Sequence, residues 1–550
     1  MPAFRSLTTM LLLGLLASLA QAAALSPRTW YRAPSTPHGD VTGSPVSAAG
    51  TTYTVPYARP PIGTRRFADP VPIDRWSALR RYYRRVRSPR RYAGGKTQKV
   101  CPQVGVDASE YSEDCLYLTV HQPNGADRGD LPVFFWIHGG SFRQGGINDL
   151  DALAFATKQN MIVVTVQYRL GVLGWTKYDA LGLGGNLGLK DIIMALKFVQ
   201  TDIASYGGDP TRVTIAGQSS GAEIVKSLLV TPSATSLFAR AIMHSAPLDS
   251  VDQSPAVANE VGAEVLNSLG CKDVACLRDL SLDKIIATDG SIASSGLSLA
   301  GALGPEVAFA EPLHTVVDGS LVTRSFREVV ESGGRLEGGN KELIFTTVKN
   351  EACEAVDQVT VYESLDSDDF DTYAGAFFAS RLPTIDSSGL YDPAQLSGSD
   401  ATRLALVSLA TDFTYTCPVQ RAAVKTANGS SNSQKVYLGE FDLGVPSASA
   451  DCPLCDGLVG HEDDIYVLFD RKSSNLTLNT AQKALRAEVQ ERWGSFARNG
   501  NPTARGYAAW PTVSASQGDL NVLVLGGASS GKSTIRKSQR AEECAIYSFA

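Results

Sequence analysis

The residues whose types and spacing most suggest chemistry are Gly217-Gln218-Ser219-Ser220-Gly221. They follow the apolar run Val213-Thr214-Ile215-Ala216 and precede Ile224, Val225, Leu228 and Leu229, which recur at helical spacing up to Thr231-Pro232. A strand that turns sharply into a helix holds such a serine in a strained backbone with its hydroxyl lifted clear. The flanking glycines leave room for the crowded turn. Ser219 is therefore a candidate nucleophile, although the five-residue pattern alone also fits a plain surface turn. A serine hydroxyl attacks poorly until an imidazole takes its proton, and the imidazole needs a carboxylate to fix its tautomer and stabilise its cation. A second turn, His138-Gly139-Gly140-Ser141-Phe142, can point successive backbone N–H groups into one space, as a developing oxyanion requires, or be a tight turn and nothing more.

The elements that must position these turns are legible as apolar runs. Leu131 to Ile137 is a continuous apolar strand of the kind buried on both faces, and Met161 to Val166 is another. Glu113 to Val120 leads into a strand that alternates under Leu116, Leu118 and Val120, and Gly185-Asn186-Leu187-Gly188 opens a helix with Ile192, Ala195, Leu196 and Val199 on one face. Strands alternating with helices over such spans argue for an α/β fold with a mostly parallel central sheet covered by helices on both faces. A length of 550 residues suggests several domains. The chain shows no proline-rich linker, low-complexity block or repeat at which to divide it, so residues 23–550 read as one domain.

Residues 1–22 read as a secretory signal: an apolar run from Leu11 to Ala20, preceded by Arg5 and closed by Ala20-Gln21-Ala22. That run is about half the ~20 residues a bilayer crossing needs, and no later segment is a better candidate. The mature chain is expected to be soluble and exported. Removing the leader takes the formal net charge from −6 to −7, which offers no general affinity for nucleic acid. From Arg75 to Lys99, ten of 25 residues are Lys or Arg, interleaved with three tyrosines. In an exported acidic chain this is read as a solvated insertion rather than a polyanion site. Nine cysteines in such a chain are read first as disulfides. Cys101 with Cys115 and Cys271 with Cys276 can each close a small loop. Cys353, Cys417, Cys452, Cys455 and Cys544 stay unassigned, and the odd total leaves one unpaired or joined to another molecule. Asn428-Gly429-Ser430 and Asn475-Leu476-Thr477 are acceptor sequons for N-glycans.

From Val55-Pro56-Tyr57-Ala58 almost to the C-terminus the chain resembles the type-B carboxylesterase and cholinesterase family of α/β-hydrolases, in particular its secreted members of fungal type. Family-like blocks occur in order at Glu113-Asp114-Cys115-Leu116, His138-Gly139-Gly140, Tyr168-Arg169-Leu170-Gly171, Gly207-Gly208-Asp209-Pro210, Gly217 to Gly221, Cys276-Leu277-Arg278, Asp318-Gly319 and Trp493 to Pro502. The resemblance implies Ser219 as nucleophile, Glu351 as the acid, His461 as the base, and the backbone N–H groups of Gly140, Ser141 and Ser220 as the oxyanion hole. Departures from the family are Gln218 for its usual Glu, Ser220 for alanine, Ser141 for the third glycine and Ala352 for the glycine after the acid. Glu354 and Asp357 remain rivals for the acid. Of six histidines, only His461 sits in a polar loop beyond it. His38 precedes the first strand, His138 belongs to the second turn, and His121, His244 and His314 lie in or beside apolar runs.

Two other signals carry different chemistry. Gly526 to Ser533 fits the phosphate-binding loop pattern after an apolar strand at Leu520 to Leu525. The chain ends too soon after it for the rest of a nucleotide-binding domain, so it is read as a last strand and turn. Cys452-Pro453-Leu454-Cys455 lacks the second pair a zinc site usually wants and is read as a structural disulfide. No cofactor or metal is implied. The expectation is a secreted, monomeric serine carboxylic ester hydrolase acting on small-molecule esters of short to medium acids through an acyl-enzyme. The alternatives are a lipase or sterol esterase of the same fold, or a non-catalytic binding relative, against which the complete triad argues.

Overall fold

The computed structural model describes residues 34–548, apart from 48, 77–90, 95–97, 127–128, 149, 249–251, 304–310, 334–335, 361–364, 379–380, 430–433, 446–451, 472–476, 514–519 and 538–539. The leader, most of the basic run and the sequon at Asn475 lie outside the described residues. Residues 35–550 form one compact unit.

Its frame is a single twisted sheet of thirteen strands among the described residues. The eleven that matter here are β1 (Gly39–Ser47), β2 (Gly50–Pro56), β3 (Tyr117–Pro123), β4 (Leu131–Ile137), β5 (Ile162–Val166), β6 (Gly208–Gln218), β7 (Arg240–His244), β8 (Glu342–Val348), β9 (Val436–Phe441), β10 (Asn521–Leu525) and β11 (Thr534–Lys537). They lie side by side as β1-β2-β3-β5-β4-β6-β7-β8-β9-β10-β11. From β5 to β10 every neighbour is parallel. The strands on either side of that block are antiparallel.

Parallel strands need crossovers, and these place helices on both faces. The apolar runs are the direct consequence. Along β4, Val133, Phe135 and Ile137 enter one core, which also takes Leu189, Ile192, Leu196 and Val199 of α1 (Leu187–Asp202) and Ile224, Val225 and Leu228 of α2 (Ser220–Leu228). Phe134 and Trp136 enter the opposite core, with Leu485, Val489, Trp493 and Phe496 of α4 (Thr480–Asn499). A third, smaller core lies under α3 (Cys353–Thr360) and the helices that follow it. The alternation expected under β3 is not seen: Leu118 and Val120 are buried, but so are Tyr117, Thr119 and His121, because this strand too is covered on both sides.

Several of the motif blocks hold loops through carboxylates that are ion-paired or that accept backbone N–H groups. Arg169 bridges Asp191 of α1 at 2.7 Å with both side chains buried, and Arg66 meets Glu113 at 2.6 Å. Asp318 accepts the backbone N–H groups of Ser320, Leu321 and Val322. The disulfides Cys101–Cys115 and Cys271–Cys276 are formed as expected. Cys452–Cys455 is also bonded, Cys417 pairs with Cys544 across 127 residues, and Cys353 is the free, buried thiol. The phosphate-loop pattern is a hairpin between β10 and β11, closed by Ala528 N–H to Lys532 O at 3.0 Å. Part of the basic run, Arg91–Gly94, forms a strand beside β1. Among the described residues no helix is long and apolar enough to cross a membrane.

Candidate active site

Ser219 sits between β6 and α2 with φ 55° and ψ −129°, a conformation that a residue with a side chain adopts only under strain. Its neighbours explain why the turn closes there. A Cβ on Gly217 would lie 2.4 Å from the Gly221 carbonyl carbon, and one on Gly221 would lie 2.3 Å from Ile137 O at the end of β4. Only glycine lets the chain fold back so tightly against the next strand. Ser219 N–H is tied to His244 O at the end of β7.

The second turn reaches the same place. β4 runs beside β6 in register to the Ile137–Gly217 pair, so His138 to Phe142 emerge next to the serine. A Cβ on Gly139 would stand 3.1 Å from Ser219 Cβ. Gly140, Ser141 and Phe142 all have positive φ (105°, 53° and 57°), and Arg143 and Gln144 donate back to Gly140 O. His138 is held out of the chemistry: its ring stacks on Tyr168 at 4.5 Å, and burial lowers its pKa to about 4.

The candidate base and acid arrive on two loops that are bonded together. Asn350 N–H donates to Val459 O at 3.0 Å, and Val459 N–H donates to the Asn350 side chain at 3.2 Å. This places His461 Nδ1 2.6 Å from Glu351 Oε2, while Glu351 Oε1 accepts Val348 N–H. The carboxylate that meets the imidazole is thus Glu351, and Glu354 and Asp357 are carried away on α3. Burial works against a charged His461, yet the Glu351 carboxylate, with smaller help from Glu462 and Asp464, raises it to about 9. On its other side His461 Nε2 faces Gln218 Nε2 at 3.1 Å. Among the described residues no hydrogen bond joins Ser219 Oγ to the ring. The residue beside the serine occupies that position instead.

Sequence reasoning missed that contact, and it missed two buried polar clusters beneath the site. His244 donates from Nδ1 to Asp464 at 2.7 Å and accepts from the Trp493 indole at 2.9 Å, all three in the core. Lys226, on a helix that looked amphipathic, is buried 3.5 Å from both Glu223 and Asp252. Burial and the Glu223 carboxylate push the nearby Glu311 carboxyl upward, against the pull of the Ser141 hydroxyl. Glu223 and Lys226, four and seven residues after Ser219 on a short helix, were the signal available. His121 and His314 are buried, as expected.

The chain matches the carboxylesterase family over residues 33–547. It belongs to the carboxylesterase family. Carboxylesterase 1E of Mus musculus is 29% identical over 519 residues, covering 88% of this chain and 89% of its own. Liver carboxylesterase of Sus scrofa is 30% identical over 544 residues, covering 91% and 92%. A solved PNB esterase superposes with a TM-score of 0.74 at 23% identity, covering 94% of this chain and all of that one, which supports the α/β-hydrolase fold. As a member of the carboxylesterase family the protein is a carboxylic ester hydrolase, and the family points to small-molecule esters as its substrates.

Proposed function

We propose that the protein is a secreted serine carboxylesterase that cleaves soluble esters of short to medium acids through an acyl-enzyme. The observation that carries this reading is the convergence of a strained serine, a carboxylate-held imidazole and a left-handed glycine turn at the ends of β4, β6 and β8. His461 takes the Ser219 proton as the hydroxyl attacks the ester carbonyl. The backbone N–H groups of Gly140, Ser141 and Ser220 receive the oxyanion. His461 then protonates the departing alcohol, and water releases the acid by the same steps in reverse. For the first step the imidazole must exchange its Gln218 contact for Ser219 Oγ, a short movement between adjacent residues.

The preference for soluble esters is supported by the loop from Cys101 to Cys115. It contains only turns and one bridge, Val100 with Tyr111, and the Tyr111 hydroxyl is spent on Asp283. With four acids and two isolated valines among its 13 residues, it offers no amphipathic flap. It also holds no tryptophan with which to receive a quaternary ammonium. Rates on p-nitrophenyl esters of rising chain length, set beside an emulsified long-chain triglyceride, test the reading. A fall beyond medium chains is expected. A sharp rise above the triglyceride's solubility limit would favour a lipase.

A further inference from the structure

Three sulfurs meet where the two catalytic loops are joined. Among the described residues, the Sγ atoms of Cys353, Cys452 and Cys455 all lie within 4.8 Å of one another. Two of them form the Cys452–Cys455 bond, which closes a loop of only a few residues, and the third is a free thiol. Cys353 opens α3 two residues after Glu351, and it is buried. It packs against the histidine loop so closely that a Cβ on Gly460 would be 2.9 Å from its sulfur.

We infer that this cluster is a thiol–disulfide exchange site, in which Cys353 displaces Cys455 from Cys452 and so moves the bond onto the segment that carries the triad acid. The step is redox-neutral. The Cys353 thiol gives up its proton, its sulfur bonds to Cys452 Sγ, the Cys452–Cys455 bond breaks, and the departing Cys455 thiolate takes a proton. Cys455 is the better leaving group because it is part-exposed, so water can solvate its charge, whereas Cys452 is buried. The exchanged bond would covalently join the chain two residues beyond Glu351 to the stretch that leads, nine residues later, to His461.

The surroundings set the rate. Burial, with the Glu354, Asp463 and Glu351 carboxylates facing the sulfur, pushes the Cys353 thiol up to about 12, against the Glu354 backbone N–H. The attacking thiolate is scarce near neutrality, and exchange should quicken about tenfold for each pH unit below that value. The protein is incubated folded at pH 7, 8 and 9, quenched in acid, alkylated with N-ethylmaleimide in denaturant, and digested without reduction. The expected result is a Cys353–Cys452 linked peptide with the label on Cys455, accumulating roughly a hundredfold faster at pH 9 than at pH 7. Label confined to Cys353 at every pH would overturn the inference. Cys455→Ser gives an independent arm: oxidised glutathione, reduced to two glutathiones, should link Cys353 to Cys452. Two unlinked sulfurs in that variant, while it still hydrolyses ester, would also overturn the inference. Cys353→Ser should yield neither product.

Discussion

Glu351→Gln tests the candidate site most sharply, because one change should move two observables in calculable directions. Against burial, the Glu351 carboxylate is the largest influence holding the His461 imidazolium, and it moves the ring from 6.5 to about 9. The proposed mechanism needs the neutral ring, so kcat/KM of the wild type should rise with pH toward an ionisation near 9. In the variant, burial is opposed only by Glu462 and Asp464, and the midpoint should fall. Turnover on the plateau should drop by roughly 10³ to 10⁴, as happens when a histidine loses its orienting carboxylate. Stability moves the opposite way. At about 1.4 kcal/mol per pH unit, the displacement corresponds to about 3 kcal/mol. Because the folded pKa is raised, that stabilisation is fully present below the unfolded value of 6.5 and is lost as pH climbs through about 9. Wild type and variant should therefore differ most in urea midpoint at pH 6 and least above pH 9. Identical pH–rate midpoints, or a stability gap that widens with pH, would refute the assignment of Glu351 to His461.

The other expectations are more compact. Ser219→Ala should abolish hydrolysis, by on the order of 10⁶, and lose stoichiometric organophosphate labelling while remaining folded. Equal labelling of both proteins would move the nucleophile elsewhere. Gln218→Glu puts a second carboxylate about 3 Å from His461 Nε2 and should shift the pH–rate midpoint upward. An unchanged or lower midpoint would mean that the side chain does not sense the ring. Gly221→Ala forces a methyl against Ile137 O and His138 O, costing roughly 1–3 kcal/mol and most of the activity. A variant with the wild-type melting temperature would show that the turn has slack. Replacing both Cys417 and Cys544 by serine opens a loop of 127 residues. Loop-closure entropy puts the loss at about 5 kcal/mol, read as a lower denaturant midpoint.

What could be read in the chain and what could not divide along sequence distance. The turn at Ser219 was legible because glycine is demanded at two fixed offsets, and β4 and β5 because burial on both faces leaves almost no polar positions. Cys101–Cys115 and Cys271–Cys276 close short loops and were legible too. Cys417–Cys544 spans too much chain for spacing to speak, and Cys353 is identified as free only once the others are paired. Glu351 was proposed from its motif, and the rivals Glu354 and Asp357 could be set apart only by the hydrogen bonds that orient the acid loop on Val459. The Gln218 contact with His461 and the Lys226 cluster depend on side chains that sequence places on separate elements. The phosphate-loop pattern misleads because glycines that cradle an anion serve equally to close a hairpin.

The backbone at Ser219 also constrains how this position can change over generations. At φ 55° a β-branched side chain collides with its own main chain, so threonine is accepted poorly even though it keeps the hydroxyl. Cysteine preserves the unbranched skeleton and swaps oxygen for sulfur, so a thiol enzyme is one substitution away. Glycine relieves the strain outright. With Ser219 as the proposed nucleophile, descent toward a silent, non-catalytic relative is the energetically downhill path, and selection for turnover would have to hold the serine in place against it.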